Sequence, residues 1–482
     1  MIVLLKQFEL RNRDIFRLPS FTLISFITIL GFILTFLYCE RDFSVLTHKT
    51  KPVPQLKPEI ILSLSEASGL TEVFLNLEIK DIKLPKICNI LRDDSLIFHD
   101  FLFDDNITMI DSELNPAMSY KYRAFLLEDN LIIDSSNSLE VSTMDTTSHD
   151  FSWEIYHLGN YNSYLLDVAI INDDDIWAVG EIWITDSTGN YEKYNAVHWD
   201  GFEWNLIQIY YTNSSGGQSP ILPIRGIHVI DDNDIWIASG SIFHWNGNIA
   251  AISYLRDINT QEIANKLLYI SENNIYGVGT EGLIVHFDGS TWQRMESGTD
   301  LDLLDIWGVS NSEIYCVGVD RAMVRGVALM YDGSTWHKMI DGCAEGNGFD
   351  SSQLFKTQLY GTTEALWVDE HETLYTVGNL MYQYKRGKWD FVRSLPQNNL
   401  NGNPGNYDRG YLQAIRGNAS NDIFIFGQCE TVIHFNGMSW KKIGPSFLPW
   451  SYRFWYNSDI KGGLAMAVGK DENSARIIKI WR

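Results

Sequence analysis

The chain has 482 residues, 45% of them hydrophobic and 20% charged, and a formal net charge of −24. That composition is one of a folded protein of two or three domains and excludes an intrinsically disordered one. Acidity of this strength, with no basic cluster to offset it, is repelled by phosphate backbones and argues against nucleic-acid binding.

Aromatic residues make up 13% of the chain, with 16 Trp and 23 Tyr beside 36 Gly, a mixture that favours strands and tight turns. The five cysteines are Cys39, Cys88, Cys316, Cys343 and Cys429. None forms a CxxC pair or a Cys/His spacing suited to a metal. Cys316 lies in an apolar strand and reads as a small core residue, and a Cys343–Cys429 bond is the one pairing left open.

The first element in chain order is Phe21 to Tyr38, a run without charge at the minimum length for a membrane-spanning helix. Lys6, Arg11, Arg13 and Arg17 precede it, so the positive-inside rule keeps the N-terminus cytoplasmic and exports everything after residue 40. Phe36-Leu37-Tyr38-Cys39 resembles the end of a bacterial lipoprotein signal, with Tyr38 where that family has Gly or Ala. The resemblance implies lipidation of Cys39. Lipid anchor and uncleaved helix both stay open for residues 1–42. Either one tethers the protein outside the cytoplasmic membrane, at the cell surface or in the periplasm.

Residues 43–56, with Pro52, Pro54 and Pro58 nearby, read as a linker. Short alternating segments follow over 57–146, among them Thr71–Ile79, Ile87–Leu91, Ile107–Ile110, Tyr120–Leu127 and Leu139–Met144. Period-two alternation at this spacing predicts a β-sandwich. Within it, Leu114-Asn115-Pro116-Ala117-Met118-Ser119-Tyr120-Lys121-Tyr122 resembles the L-x-P-x-x-x-Y-x-Y stretch of fibronectin type III domains. The resemblance implies a spacer or binding platform in which Tyr120 pins one sheet to the other.

Beyond residue 150 the chain repeats. One unit reads D-I-W-x-V-G, a variable segment, H-x-D-G, then x-x-W. The units open at Asp175-Ile176-Trp177, Asp234-Ile235-Trp236, Asn274-Ile275-Tyr276, Glu313-Ile314-Tyr315, Thr373-Leu374-Tyr375, Asp422-Ile423-Phe424 and the degenerate Leu464-Ala465-Met466. Asp200-Gly201, Asn246-Gly247, Asp288-Gly289, Asp332-Gly333, Arg386-Gly387 and Asn436-Gly437 follow the first six and predict two-residue type I′ hairpins. Each unit therefore encodes four antiparallel strands, and units that cannot cover their own faces must stack around an axis. The seventh unit ends at Trp481-Arg482 without a fourth strand, whereas Phe151-Ser152-Trp153-Glu154-Ile155-Tyr156 is an outer strand without a unit. Placing 150–158 in the last blade closes the ring and hides its edges.

The repeats resemble those of bacterial exported propellers with N-D-I-W-x-V-G and H-x-D-G-x-x-W motifs. The resemblance implies a seven-bladed β-propeller over 150–482 and, with the segments before it, an all-β architecture carrying one N-terminal membrane helix or lipoprotein signal. Chains of this form are sometimes labelled glucosyltransferases, but no nucleotide-sugar motif is present. The D-G turns also resemble the Asp-box of sialidase-like propellers, without its extra residue between Asp and Gly.

Unit length varies through four insertions, at 181–193, 210–223, 341–362 and 397–410. All follow a second or fourth strand, and both kinds of loop leave a propeller on one face. Their composition supplies the ligand-face candidates: Trp183, Tyr191, Tyr210, Tyr211, Tyr360, Tyr407 and, in the next such loop, Trp450, with Asp320, Arg321, Asp408 and Arg409 as charges. Flat aromatics beside amides such as Asn398, Asn399 and Asn401 suit a glycan or a peptide. The acidic runs at 172–175 and 231–234 lack calcium-loop spacing and read as turns. His198, His244, His286 and His434 recur at one repeat position, which separates them in space and makes them structural. No catalytic residue, metal ligand or cofactor is assigned. The expectation is a monomeric, membrane-tethered extracytoplasmic binding or scaffold protein with a protein or glycan partner. The rival is a carbohydrate-active enzyme using acidic residues of the same face.

Overall fold

The computed structural model describes residues 3–4, 59–254, 262–344, 348–392, 411–445 and 452–482. Among these no helix is long and apolar enough to cross a membrane. The expected anchor at 21–38 and the lipidation candidate Cys39 lie outside the described residues. Close contacts divide the chain into two units, one holding 118–142 with the residues up to Leu114, the other holding 143–482 with Asn115–Ala117.

The smaller unit is a sandwich. One sheet pairs Glu59–Leu64 with Glu72–Lys80 and Asn106–Ser112. The other orders Ser95–Leu102, Lys86–Arg92, Ser119–Glu128 and Leu131–Ser135, and Leu139–Ser142 also pairs along Ser119–Glu128. Alternation sends Val73, Leu75 and Leu77 from one sheet and Cys88, Ile90, Ala124 and Leu126 from the other into a shared core. Burial there pushes the Cys88 thiol up to about 12. The sheets are also tied by a polar cluster. Tyr122 Oη donates to Asp111 Oδ2 at 2.8 Å, and Arg92 Nη1 reaches both oxygens of Asp111 at 2.9 Å. Tyr122 is fully enclosed, and Tyr120 is half-buried beneath the Arg92 guanidinium.

The larger unit is a β-propeller. Among the described residues, 152–481 form seven sheets built on four antiparallel strands, which follow chain order from first to last in all but the seventh. The first strands are Tyr164–Asn172, Gly226–Asp231, Ala264–Ser271, Asp302–Ser310, Thr363–Val368, Leu412–Ala419 and Phe454–Lys461. Each packs against the next, and Phe454–Lys461 returns against Tyr164–Asn172, which closes the circle. The last strand of the seventh sheet is Ser152–Leu158, paired antiparallel with Ala475–Trp481 so that Trp153 faces Ile480. Two insertions add strands. Tyr210–Thr212 and Gln218–Pro220 extend the second sheet, and Gln358–Tyr360 runs parallel to Trp336–Cys343 in the fourth.

The repeat motif now has physical reasons. The D-I-W strand is the second of its sheet, and its tryptophan packs against the neighbouring sheet, as Trp177 does on Ile227 and Ile237. A side chain on the motif's glycine would collide with backbone: a Cβ on Gly180 meets the Tyr164 carbonyl, and one on Gly427 meets the Tyr411 carbonyl. The first motif residue and the recurring histidine are bonded. His198 Nε2 lies 2.8 Å from Asp175, His244 Nε2 2.7 Å from Asp234, His286 Nε2 2.8 Å from Asn274 and His434 Nε2 2.8 Å from Asp422. Three of these rings stack on the motif aromatics Trp177, Trp236 and Tyr276.

The type I′ hairpin expectation needs correction. Trp199 pairs with Trp204, Phe287 with Trp292, Tyr331 with Trp336 and Phe435 with Trp440, so these loops have four residues. Only the glycine has positive φ, and the preceding Asp or Asn instead accepts the next two backbone N–H groups. Asp288 Oδ1, for example, accepts from Ser290 and Thr291 at 2.9 and 2.8 Å. Only Arg386-Gly387, with φ of 53° and 76° between paired Lys385 and Lys388, is a two-residue turn of the expected kind. The pairing left open is not formed: no disulfide joins Cys343 to Cys429.

Candidate functional site

The first strands enter the propeller axis from one end, and their opening residues enclose a cavity of about 430 Å³. All seven sheets contribute to it. Leu166, Arg225, Lys266, Asp305, Glu364, Gln413 and Tyr456 represent sheets one to seven in that order. Thr280 and Arg321, which follow second strands, also line it. The cavity therefore opens on the face where the second-strand and fourth-strand loops leave, the one that carries the insertions.

Its walls are charged, and most of the charge is internally matched. Lys266 Nζ lies 2.6 Å from Asp167 Oδ1, with Asp167 fully buried. Arg416 grips Asp305 with two nitrogens at 2.9 and 3.0 Å and donates as well to the Leu366 carbonyl. Arg321 pairs with Glu364, whose carboxyl burial pushes up against the opposing pull of Arg321. Burial likewise raises Asp459 on the first strand of the seventh sheet. Tyr456 is raised to about 12 by burial, with Arg321 acting against the shift.

Three of these acids also stitch one sheet to the next. Asp167 Oδ2 accepts the Ile227 N–H at 2.9 Å, Asp305 Oδ2 the Leu366 N–H at 3.1 Å, and Asp459 Oδ2 the Ile170 N–H at 2.8 Å. Each carboxylate reaches from one first strand to the first strand of the following sheet. Sequence reading missed them. The signal was present as Leu165-Leu166-Asp167-Val168 and Leu303-Leu304-Asp305-Ile306, two matching acids inside otherwise apolar runs.

His228 sits on the second sheet's first strand, stacked on Tyr269 with 4.7 Å between centroids. Burial, and then Lys266, lowers its pKa from 6.5 to about 4. Below the unfolded value the folded state therefore binds fewer protons than the unfolded one. The stability it contributes is complete above pH 6.5 and lost as pH falls towards 4. Thermal unfolding from pH 7.5 to 4 should show a shallower decline for His228→Asn than for the wild type. Parallel profiles would refute this assignment.

The sequence-predicted face residues divide. Arg321 lines the cavity, and its neighbour Asp320 caps the turn by accepting from Ala322 and Met323. Trp183 and Tyr191 meet edge-on at 5.9 Å on the first sheet's long hairpin, with Lys193 Nζ 3.9 Å above the Trp183 ring. Tyr211 packs on Phe243 within the core of the second sheet. Tyr210 bonds Gln208, and Tyr360 exchanges backbone hydrogen bonds with the Tyr382 hydroxyl. Tyr407, Asp408, Arg409 and Trp450 lie outside the described residues. Arg225 and Lys266 were not foreseen, because a single basic residue at a strand start carries no periodic signal.

One group among the described residues could geometrically hold a cation: Asp175, His198 and Asp232. His198 is already bonded to Asp175, and Asp232 accepts from Trp177 Nε1 at 3.3 Å. The same His–Asp/Asn bond recurs in three other sheets, which marks it as a packing device.

No family model matches the sequence, and no curated protein matches it. Solved structures do. The chain is similar to YCF48 bound to D1 peptide, with 13% identity, 68% of this chain and 94% of that chain covered, and a TM-score of 0.46. It is also similar to YCF48 from Cyanidioschyzon merolae, at 10% identity over 68% and 98% of the two chains and a TM-score of 0.45. The WD40 β-propeller domain of Doa1 matches at 11% identity over 69% and 97%, with a TM-score of 0.45.

Proposed function

We propose that this protein is a non-enzymatic, membrane-tethered extracytoplasmic binding scaffold, a seven-bladed β-propeller that takes a peptide or protein partner on its inserted-loop face. The observation that carries the reading is the axial cavity, lined from all seven sheets, where polar groups from six of them converge on that face. A largely preformed concave site with a few placed polar groups is the usual form of a ligand pocket. The blade count is supported by seven sheets and the Ser152–Leu158 closure. The fibronectin type III-like assignment of 57–146 is supported by its strand order and the L-x-P-x-x-x-Y-x-Y stretch. The tether rests on the basic residues before the apolar run alone.

A glycan partner is the variant of this reading that Trp183 and Tyr191 would favour, since Tyr191 is 66% exposed. The enzymatic alternative has its own observation, because Asp302, Asp305 and Glu364 all line the cavity. Two of the three are held in ion pairs, Asp305 by Arg416 and Glu364 by Arg321, which leaves one acid where glycoside chemistry needs two.

The test is binding of the full-length protein in detergent to a peptide library and a glycan array. Arg321→Ala should abolish most of the binding found, and Phe202→Ala should leave it intact, because the 91% exposed Phe202 sits in a turn on the opposite face. The reverse pattern would overturn the reading. Turnover of any glycoside, abolished by Asp302→Asn, would favour the enzyme instead.

A further inference from the structure

We propose that the sector of the axial cavity between the second and fourth sheets binds a small zwitterion, a free amino acid or a short peptide. Arg225 takes the carboxylate, and Asp302 with Asn265 takes the ammonium. The proposal rests on the reading of the cavity as the binding site and specifies its ligand.

The argument starts from which charges are left over. Lys266 is held by Asp167, Asp305 by Arg416, and Arg321 by Glu364. Of the charged side chains lining the cavity, that leaves Arg225 and Asp302 without an ion pair among the described residues. Arg225 is half-buried, in a chain that carries 61 Asp and Glu against 37 Lys and Arg. In so acidic a protein, a partly desolvated guanidinium left without a carboxylate marks a place where one is to be supplied. A planar guanidinium is also the group best matched to a carboxylate, through two parallel hydrogen bonds.

The opposite charge stands on the neighbouring wall. Among the described residues, Asp302 Oδ1 accepts only a backbone N–H, that of Glu281 at 3.1 Å. Asn265 Nδ2 donates to the Leu303 carbonyl at 3.4 Å, which seats this amide against the strand that bears Asp302. Asn265 Oδ1 is buried with no hydrogen-bond partner among the described residues. A carboxylate oxygen and an orphaned amide oxygen on adjacent strands form a receptor for N–H donors, and an ammonium offers three. Leu166, Leu304 and Ala365 supply apolar wall between the polar groups. A cavity of about 430 Å³ lies within the range that encloses small ligands. A phosphate dianion fits poorly, because Asp302 and the paired acids Asp305 and Glu364 face the same space.

The experiment is isothermal titration of the full-length protein in detergent with free amino acids and glycylglycine, then with N-acetyl-glycylglycine and glycylglycinamide. The zwitterions should bind, and each blocked dipeptide should bind at least about tenfold more weakly, the loss of one charge-assisted contact. Arg225→Ala should weaken glycylglycine while leaving glycylglycinamide unchanged. Asp302→Asn should weaken glycylglycine and leave N-acetyl-glycylglycine unchanged. Thermal melts of both variants verify that the propeller is intact. Equal binding of blocked and free dipeptides, no effect of either variant, or no binding by any compound of the panel would each overturn the proposal. If Arg321→Ala still abolishes capture of a larger partner in that last case, the cavity remains the binding site and only the zwitterion assignment falls.

Discussion

Replacing Arg416 by Ala is expected to destabilise the propeller by about 3–5 kcal/mol, the cost of leaving a buried carboxylate without its partner. Asp305 is 3% exposed and Arg416 5% exposed, so water cannot take over the lost interaction. The guanidinium also connects three sheets. It bonds Asp305 of the fourth and the Leu366 carbonyl of the fifth from its place on the sixth, and it lies 5.2 Å above the Trp307 ring. The double variant Arg416→Met, Asp305→Leu should recover much of the loss, because an apolar pair needs no desolvation of charge. Denaturant unfolding followed by tryptophan fluorescence would measure both. The chain has two units, so the propeller transition must be resolved separately from that of the sandwich. A cost below about 1 kcal/mol for Arg416→Ala would mean that Asp305 finds other compensation.

Much of the architecture was legible because repetition amplifies weak local signals. A single D-I-W-x-V-G says little, but seven variants in succession predict stacked sheets, and the orphan strand at Phe151–Tyr156 finds its place only when the last unit is seen to lack one. The link between motif positions was not legible. Nothing in the one-dimensional pattern says that the Asp before Ile-Trp and the His before x-Asp-Gly are bonded across adjacent strands, as Asp175 and His198 are. The turns were misjudged for a similar reason. Asp-Gly is compatible with a type I′ hairpin, but the carboxylate does better by accepting two backbone N–H groups of a longer loop, as Asp332 does from Ser334 and Thr335.

The site was the least legible part. Its lining comes from segments as far apart as Leu166 and Asn457, one to four residues from each sheet, so no window of sequence contains it. Composition drew attention to aromatic residues of the insertions, and part of that signal was packing. Tyr211 fills the core beside Phe243, and Tyr360 is bound through its backbone to Tyr382. Arg321 was found because it sits in a second-strand loop. Lys266 and Arg225 were not, since a lone cation at the start of an apolar strand cannot be told from a solvent-exposed one until its surroundings are known.

Cross-linking Ser152–Leu158 to the C-terminal strand tests the closed circle most directly. Glu154 stands opposite Lys479 in the register of the two strands. With Cys39, Cys343 and Cys429 replaced by Ser, Glu154→Cys and Lys479→Cys should oxidise to a disulfide in the native protein. By closing nearly the whole propeller into one loop, the bond should stabilise it by up to about 5 kcal/mol against denaturant. A control pair separated by a full blade, Glu154→Cys with Lys442→Cys, should stay reduced under the same conditions. Failure of the 154–479 pair to join while the protein is folded, or equal cross-linking of the control, would contradict the closure and with it the axial site built on it.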